Sequence, residues 1–174
     1  AHASGDAGVQ GDGFARPRRA EDLRGADGGE LQPRERLVGG IALRDDAGQL
    51  LIFDVRNLEA PIAALPAGKH PAHVVADTSG KRAFVTSSED NAVTVVDLTR
   101  RAVIGTVATG GAPHGLRPSP DGRELYVANV ADNSVSVVDT ATLKEVARIP
   151  VGKAPVQVAF SRGGRQVYVS LWHE

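Results

Sequence analysis

The sequence of 174 residues contains no cysteine and no methionine. Without cysteine, the chain can form neither disulfide bonds nor thiolate metal sites. It has no run of about 20 apolar residues, so it predicts no membrane-spanning helix. Its 20 Lys and Arg nearly balance 21 Asp and Glu, so it lacks the basic character typical of nucleic-acid-binding proteins. Aromatic residues make up only 4% of the chain, and aliphatic side chains must therefore build its core.

What the sequence does contain is a repeat with a period of 42 residues, which covers about residues 37–174. The recurring sets are Gly68, Gly110 and Gly152; Pro71, Pro113 and Pro155; Gly80, Gly122 and Gly164; Asn91 and Asn133; and Asp97 and Asp139. Repeats of roughly 40–50 residues are typical of propellers and other repeat arrays.

Each repeat has the pattern of four short strands separated by turns. In residues 111–152 we predict strands at 114–117, 124–128, 134–138 and 145–149. Ser119-Pro120-Asp121-Gly122 predicts a tight turn, because proline sets φ at the second position and glycine closes the turn. Four antiparallel strands per unit predict a propeller blade, and neighbouring blades must stack because one blade cannot bury both faces alone.

The second strand of each unit carries a family resemblance. It reads Phe84-Val85-Thr86-Ser87, then Tyr126-Val127-Ala128-Asn129, then Tyr168-Val169-Ser170-Leu171. Together with the Ser-Pro-Asp-Gly turn and Val137-Val138-Asp139-Thr140, this resembles the YVTN-type β-propeller repeat over residues 37–174. The resemblance implies an all-β propeller of four-stranded antiparallel blades. With the missing methionine it also implies export, to the periplasm or cell surface of a bacterium or archaeon.

The repeat register divides the chain into an extension and a partial propeller with three to four blades. Residues 1–36 are Gly-rich and charged, with a basic run at 15–19, and are expected to be a linker or disordered extension. A degenerate blade at 37–68, two blades at 69–110 and 111–152, and half a blade at 153–174 follow. We expect the rest of the ring from a longer chain, of which this is a fragment, or from another copy, and we favour the fragment.

Four histidines are the main candidates for a functional site. His70, His73 and His114 lie in segments that lead into the first strand of a blade, and His173 follows a second strand. In an antiparallel blade these positions lie on one face, so the histidines are expected near one mouth of the central channel. Imidazole suits Zn, Cu and Fe, and a haem needs only one or two axial ligands. The alternative is turn chemistry, in which the imidazole bonds a neighbouring loop carbonyl. His2, beside the first residue, could also bind copper loosely.

The segment His70-Pro71-Ala72-His73-Val74-Val75 distantly resembles the first-strand region of d-type haem propellers in nitrite reductases and their cofactor-assembly relatives. That resemblance implies His73 as an iron ligand, with His114 as a second candidate for cofactor binding.

Asp54, Asp97 and Asp139 recur at one position and are predicted to cap turns. The pairs at 90–91 and 132–133 are expected either to line a polar mouth, where they could bind a cation, or to be solvated loops.

These observations support three functional hypotheses. The first is an exported binding or scaffold module that holds a protein partner or small ligand at its loop face. The second, from another class, is a redox or cofactor-handling propeller that uses the histidine-lined mouth for haem, Cu, Fe or Zn. The third, lactone hydrolysis, rests on the fold alone. Catalytic residues are not assigned by any motif in the sequence.

Overall fold

In the computed structural model, residues 40–44 and 47–173 are described, and their regular elements are β-strands. The strands are β1 Gly40–Arg44, β2 Gln49–Phe53, β3 Ala63–Pro66, β4 Pro71–Ala76, β5 Arg82–Ser87, β6 Ala92–Asp97, β7 Ala102–Ala108, β8 Pro113–Pro118, β9 Glu124–Asn129, β10 Ser134–Asp139, β11 Lys144–Pro150, β12 Pro155–Phe160 and β13 Val167–Leu171. The predictions for residues 1–39, including the extension, its basic run and His2, lie outside the described residues. Residues 40–44 and 47–173 contain no helix long and apolar enough to cross a membrane.

The strands form four antiparallel sheets in chain order. Two sheets have four strands, β4-β5-β6-β7 and β8-β9-β10-β11. The first sheet, β1-β2-β3, has three, and the last, β12-β13, has two. The strands predicted in residues 111–152 fall within β8 to β11, which extend them by at most one residue at either end. The all-β fold of four-stranded antiparallel blades, some of them partial, is therefore confirmed.

The hydrophobic core lies between neighbouring sheets, because the central strands of the two four-stranded sheets are largely buried on both faces. Phe84 of β5 packs in a cluster with Leu116 and Leu125 of the following sheet. The next residue, Val85, points the other way and packs in a second cluster with Leu50 of the preceding sheet. Near-continuous runs of apolar residues in β5, β6 and β10 reflect this two-sided burial.

Each sheet places its first strand at one edge, and those edges converge. β8 lies between β4 and β12, so the three first strands are neighbours at the inner edge of the stack. Each of them shifts register against its partner just after its proline: between Pro71 and His73, between Pro113 and Leu116, and between Pro155 and Gln157. Such irregularities re-aim side chains, and here they fall at the residues that form the candidate site.

The recurring asparagines join one blade to the next. Asn91 and Asn133 both adopt left-handed backbone conformations, with φ of 51° and 52°. The Oδ1 atom of Asn91 accepts a hydrogen bond from the backbone N–H of Ala112 at 2.9 Å, and Asn133 makes the same bond with Ala154 at 2.9 Å. Asparagine tolerates this φ better than other non-glycine residues, and its amide reaches the segment leading into the next sheet.

Each neighbouring aspartate holds the segment that leads into the first strand of its own sheet. The Oδ2 atom of Asp90 accepts from the N–H of Lys69 at 2.7 Å, and that of Asp132 accepts from the N–H of Gly111 at 2.6 Å. The side chains of both Asp-Asn pairs thus accept backbone hydrogen bonds at the blade junctions, which gives their recurrence a structural reason.

Replacing Asn133 by alanine should lower the free energy of unfolding by about 2 kcal/mol, because both the hydrogen bond to Ala154 and the tolerance of positive φ are lost. Asn133→Gly keeps the backbone conformation and should cost less than about 1 kcal/mol. Urea unfolding followed by circular dichroism measures both. Equal losses in the two variants would contradict the role given to φ.

The aspartates predicted to cap turns do so. The Oδ1 atom of Asp139 accepts from the backbone N–H groups of Ala141 and Thr142, at 3.1 and 2.7 Å. Asp97 makes equivalent bonds after β6. Hydrogen bonds from the side chain and backbone of Arg56 hold the pKa of Asp54 at about 2.

Candidate functional site

The three inner strands bring two of the predicted histidines together. His73 lies on β4 and His114 on β8, and both are half-buried. His70, just before β4, and His173, after β13, are exposed. Among residues 40–44 and 47–173, no group of three or more His, Asp or Glu side chains could hold a metal ion. The structure thus offers a histidine pair at the inner edge.

A glycine makes room at the centre of this site. The 42-residue register places Gly115 between His73 and Gln157, at the same position of consecutive inner strands. A Cβ atom on Gly115 would lie 2.3 Å from the carbonyl oxygen of Val156 and 2.5 Å from the Oε1 atom of Gln157. The side chain of Gln157 therefore occupies the space that any other residue at 115 would need.

His73 is held by this glutamine. The Nε2 atom of Gln157 lies 3.4 Å from the Nδ1 atom of His73, across two blades. An amide nitrogen can only donate, so Nδ1 accepts and the ring hydrogen of neutral His73 sits on Nε2. Its backbone is held too, since the His73 N–H donates to the Oγ1 atom of Thr86 at 3.0 Å.

His114 is held in the opposite tautomer. Its Nδ1 atom lies 3.3 Å from the carbonyl oxygen of Val156. A carbonyl can only accept, so Nδ1 carries the hydrogen and Nε2 of the neutral ring has a free lone pair. This is also how metal-binding histidines are usually oriented, with the second ring nitrogen donating to a carbonyl or carboxylate.

An indole borders the same site. The ring centroid of Trp172 lies 6.2 Å from that of His114, with 51° between the planes. The backbone N–H of Trp172 donates to the carbonyl of Ala154 at 2.9 Å, which ties the end of β13 to the start of β12. The side chain itself stays 66% exposed, so its face is accessible beside the half-buried imidazole.

The sequence pointed to His73 and His114 but missed Gly115, Gln157 and Trp172. The repeat could have indicated Gly115 and Gln157, because the 42-residue register aligns both of them with His73. This position is His, then Gly, then Gln in successive repeats, although the residue two positions before it is Pro each time. Such a change marks a position that does not follow the repeat consensus. No repeat signal identified Trp172, whose counterparts at 88 and 130 are Ser and Val.

The side chains that shift the pKa of His73 are both basic. Partial burial, and then the neighbouring His114 and Arg117 side chains, hold the pKa of His73 below its usual value of 6.5. His73 is therefore mainly neutral at pH 7. Arg117, on β8 with His114, has an exposed side chain.

We expect a nuclear magnetic resonance titration of His73 to give a midpoint below 6.5. Because the unfolded chain takes up this proton at a higher pH, the contribution of His73 to stability is present above about pH 6.5. It is lost as the pH falls from there through the lower midpoint of the folded protein. Arg117→Gln should raise the midpoint, since it removes one cation that opposes protonation. A midpoint at or above 6.5 in the wild type would refute this electrostatic account.

Comparison with known proteins agrees with the fold. A family model described as YNCE-like beta-propeller matches residues 65–173. In structure the chain is similar to the hydrazine synthase of Kuenenia stuttgartiensis, with a TM-score of 0.65 and 23% identity over 76% of this chain and 41% of that one. It is also similar to a functionally unknown protein from Desulfotomaculum acetoxidans DSM 771, with a TM-score of 0.59 and 17% identity over 75% of this chain and 48% of that one.

The chain thus spans less than half the length of either structure. At these identities the likeness concerns the fold alone. No curated protein matches the sequence.

Proposed function

The chain belongs to the YNCE-like β-propeller family, and from this premise we propose that it is an exported binding module that holds a small ligand or protein partner at the inner edge of its blades. The observation that carries the proposal is the convergence of His73, His114 and Gln157 from three separate inner strands. Side chains from distant parts of the chain meet there around a glycine that leaves space for them.

The arrangement is suited to binding because its polar groups have fixed directions. Gln157 and Val156 each fix one histidine tautomer, so the free ring positions present one donor and one acceptor. A few oriented polar groups beside an aromatic face are typical of ligand sites in proteins. The loop aspartates and asparagines, by contrast, are engaged at the blade junctions.

The second candidate is a haem- or metal-dependent function, and a specific observation favours it. His114 donates from Nδ1 to Val156, so its Nε2 atom could hold an iron or copper ion as a single ligand. His73, which the haem-propeller resemblance implied, fits less well because Nδ1 accepts from Gln157 and Nε2 carries the hydrogen. Bound iron or copper would supply redox chemistry, while His114 would hold the metal and Trp172 would cover one side of the imidazole.

Ligand retention tests the binding proposal. The purified protein is incubated with an extract of its source cells, washed and analysed by native mass spectrometry, beside a His114→Ala/Gln157→Ala double variant and a Lys144→Gln control. Lys144 is an exposed residue of β11, away from the inner strands. We expect a species retained by the wild type and the control but lost from the double variant.

Two further measurements separate the remaining parts of the proposal. An absorption spectrum with metal analysis of the natively purified protein distinguishes the two candidates, since a Soret band lost in His114→Ala would favour the haem. Fractionation of the source cells tests export, and a purely cytosolic pool would contradict it.

A further inference from the structure

The polar groups of the site are complementary to hydroxyl groups. Neutral His73 offers a donor at Nε2, and the His114 ring, whose Nδ1 donates to Val156, offers an acceptor at Nε2 in its neutral form. The amide of Gln157 carries further donor and acceptor capacity beyond its bond to His73. A hydroxyl group both donates and accepts, so a ligand with several hydroxyls can satisfy this mixed set.

The exposed indole adds a flat apolar surface to those groups. Trp172 is tilted by 51° against His114 and is 66% exposed, so a ring can lie on it while its edge reaches the imidazole. Tryptophan is enriched at interfaces where one end of the side chain is in apolar surroundings and the other is wet. The C–H face of a pyranose is apolar and its rim carries hydroxyls, which matches both halves of the site.

The basic side chains of the site argue against a cationic ligand. The two side chains that, after burial, lower the pKa of His73 are His114 and Arg117, both of them bases, which disfavours a cationic ligand. The Arg117 side chain is exposed and projects from a position three residues beyond His114 on β8. The groups nearest to a Cβ atom at Gly115, by contrast, are the amide of Gln157 and the carbonyl of Val156, and neither carries a charge.

We propose that the site formed by His73, His114, Gln157 and Trp172 binds an uncharged, hydroxyl-bearing ring, the pyranose of a neutral oligosaccharide. This inference rests on the proposed binding function and specifies its ligand class. The sugar stacks on Trp172 while its hydroxyls bond to the two imidazoles and the Gln157 amide.

The sequence has a single tryptophan, so tryptophan fluorescence reports on Trp172 alone. The protein is titrated with cellotriose, maltotriose, mannotriose and triacetylchitotriose, and with trigalacturonate as the charged comparison. We expect a saturable change with at least one neutral trisaccharide, with a dissociation constant of about 1 mM or tighter. Gln157→Leu should weaken that binding about tenfold or more, and Gln166→Leu, an exposed glutamine of the same half-blade, should not.

Trp172→Ala, assayed by calorimetry, provides a second variant at an exposed position that leaves the inner strands intact, and it should abolish binding of the same sugar. The proposal is overturned if none of the four neutral sugars changes the tryptophan fluorescence or if trigalacturonate binds more tightly than they do. It is also overturned if binding survives both Gln157→Leu and Trp172→Ala. If the extract experiment still shows a species lost in the double variant, the binding function stands and only the ligand class has failed.

Discussion

Replacing Gly115 by alanine is expected to lower the free energy of unfolding by about 3 kcal/mol, a large effect for one methyl group. The added Cβ would lie 2.3 Å from the carbonyl oxygen of Val156 and 2.8 Å from the Cα atom of Gln157. Both are backbone atoms of the neighbouring inner strand, so the clash cannot be relieved by a change of rotamer. β8 and β12 must separate, which also displaces the Gln157 amide from His73.

Denaturant unfolding measures this loss, and the chain offers a matched control. Gly163 lies in the turn between β12 and β13, and a Cβ there would meet no atom within 4 Å. Gly163→Ala should therefore change stability by less than about 0.5 kcal/mol. If both variants unfold at the same denaturant concentration, the close approach of the inner strands at Gly115 is not a constraint on the fold.

The fold could be predicted because its determinants recur. The turn at Ser119 to Gly122 forms as predicted, with the N–H of Gly122 donating to the carbonyl of Ser119 at 2.8 Å and φ of 72° at the glycine. Asp139 caps the next turn through two backbone N–H groups. These are local interactions between residues a few positions apart, and a repeat presents each of them more than once.

Asn129, the last residue of the strand that resembles the YVTN signature, shows where local reasoning ends. Its Nδ2 atom donates to the hydroxyls of Ser134 and Ser136, at 3.0 and 2.8 Å, which ties β9 to β10. The signature predicted the strand, but these side-chain partners depend on the cross-strand register. That register follows from the fold as a whole.

The candidate site was only half visible in the sequence for a related reason. His73 and Gln157 are 84 residues, or two repeat lengths, apart. Their contact exists only because the fold brings β4 and β12 to the same inner edge. The tautomer of His114 depends on a carbonyl of the next blade. Sequence reasoning finds residue types that could do chemistry, but the partner that orients each of them belongs to another blade.

Thr86→Val is the second substitution with a large expected effect, again about 3 kcal/mol of the free energy of unfolding. The Thr86 side chain is fully buried, and its hydroxyl donates to the carbonyl of His114 at 2.8 Å while accepting from the N–H of His73 at 3.0 Å. One hydroxyl therefore joins the inner strands of two blades. Valine has nearly the same shape but leaves a carbonyl and an N–H without this partner, and each unsatisfied buried group costs about 1–3 kcal/mol.

Two comparisons isolate the hydroxyl in Thr86→Val. Thr86→Ser keeps the hydroxyl and loses one methyl group, so it should cost about 1 kcal/mol. Thr106→Val makes the same exchange at an exposed position of β7 and should stay within about 0.5 kcal/mol of the wild type. Because the hydroxyl holds the backbone of both histidines, Thr86→Val should also shift the imidazole resonances of His73 and His114. Equal costs for Thr86→Val and Thr86→Ser, with unshifted resonances, would mean that the inner strands are held by packing alone.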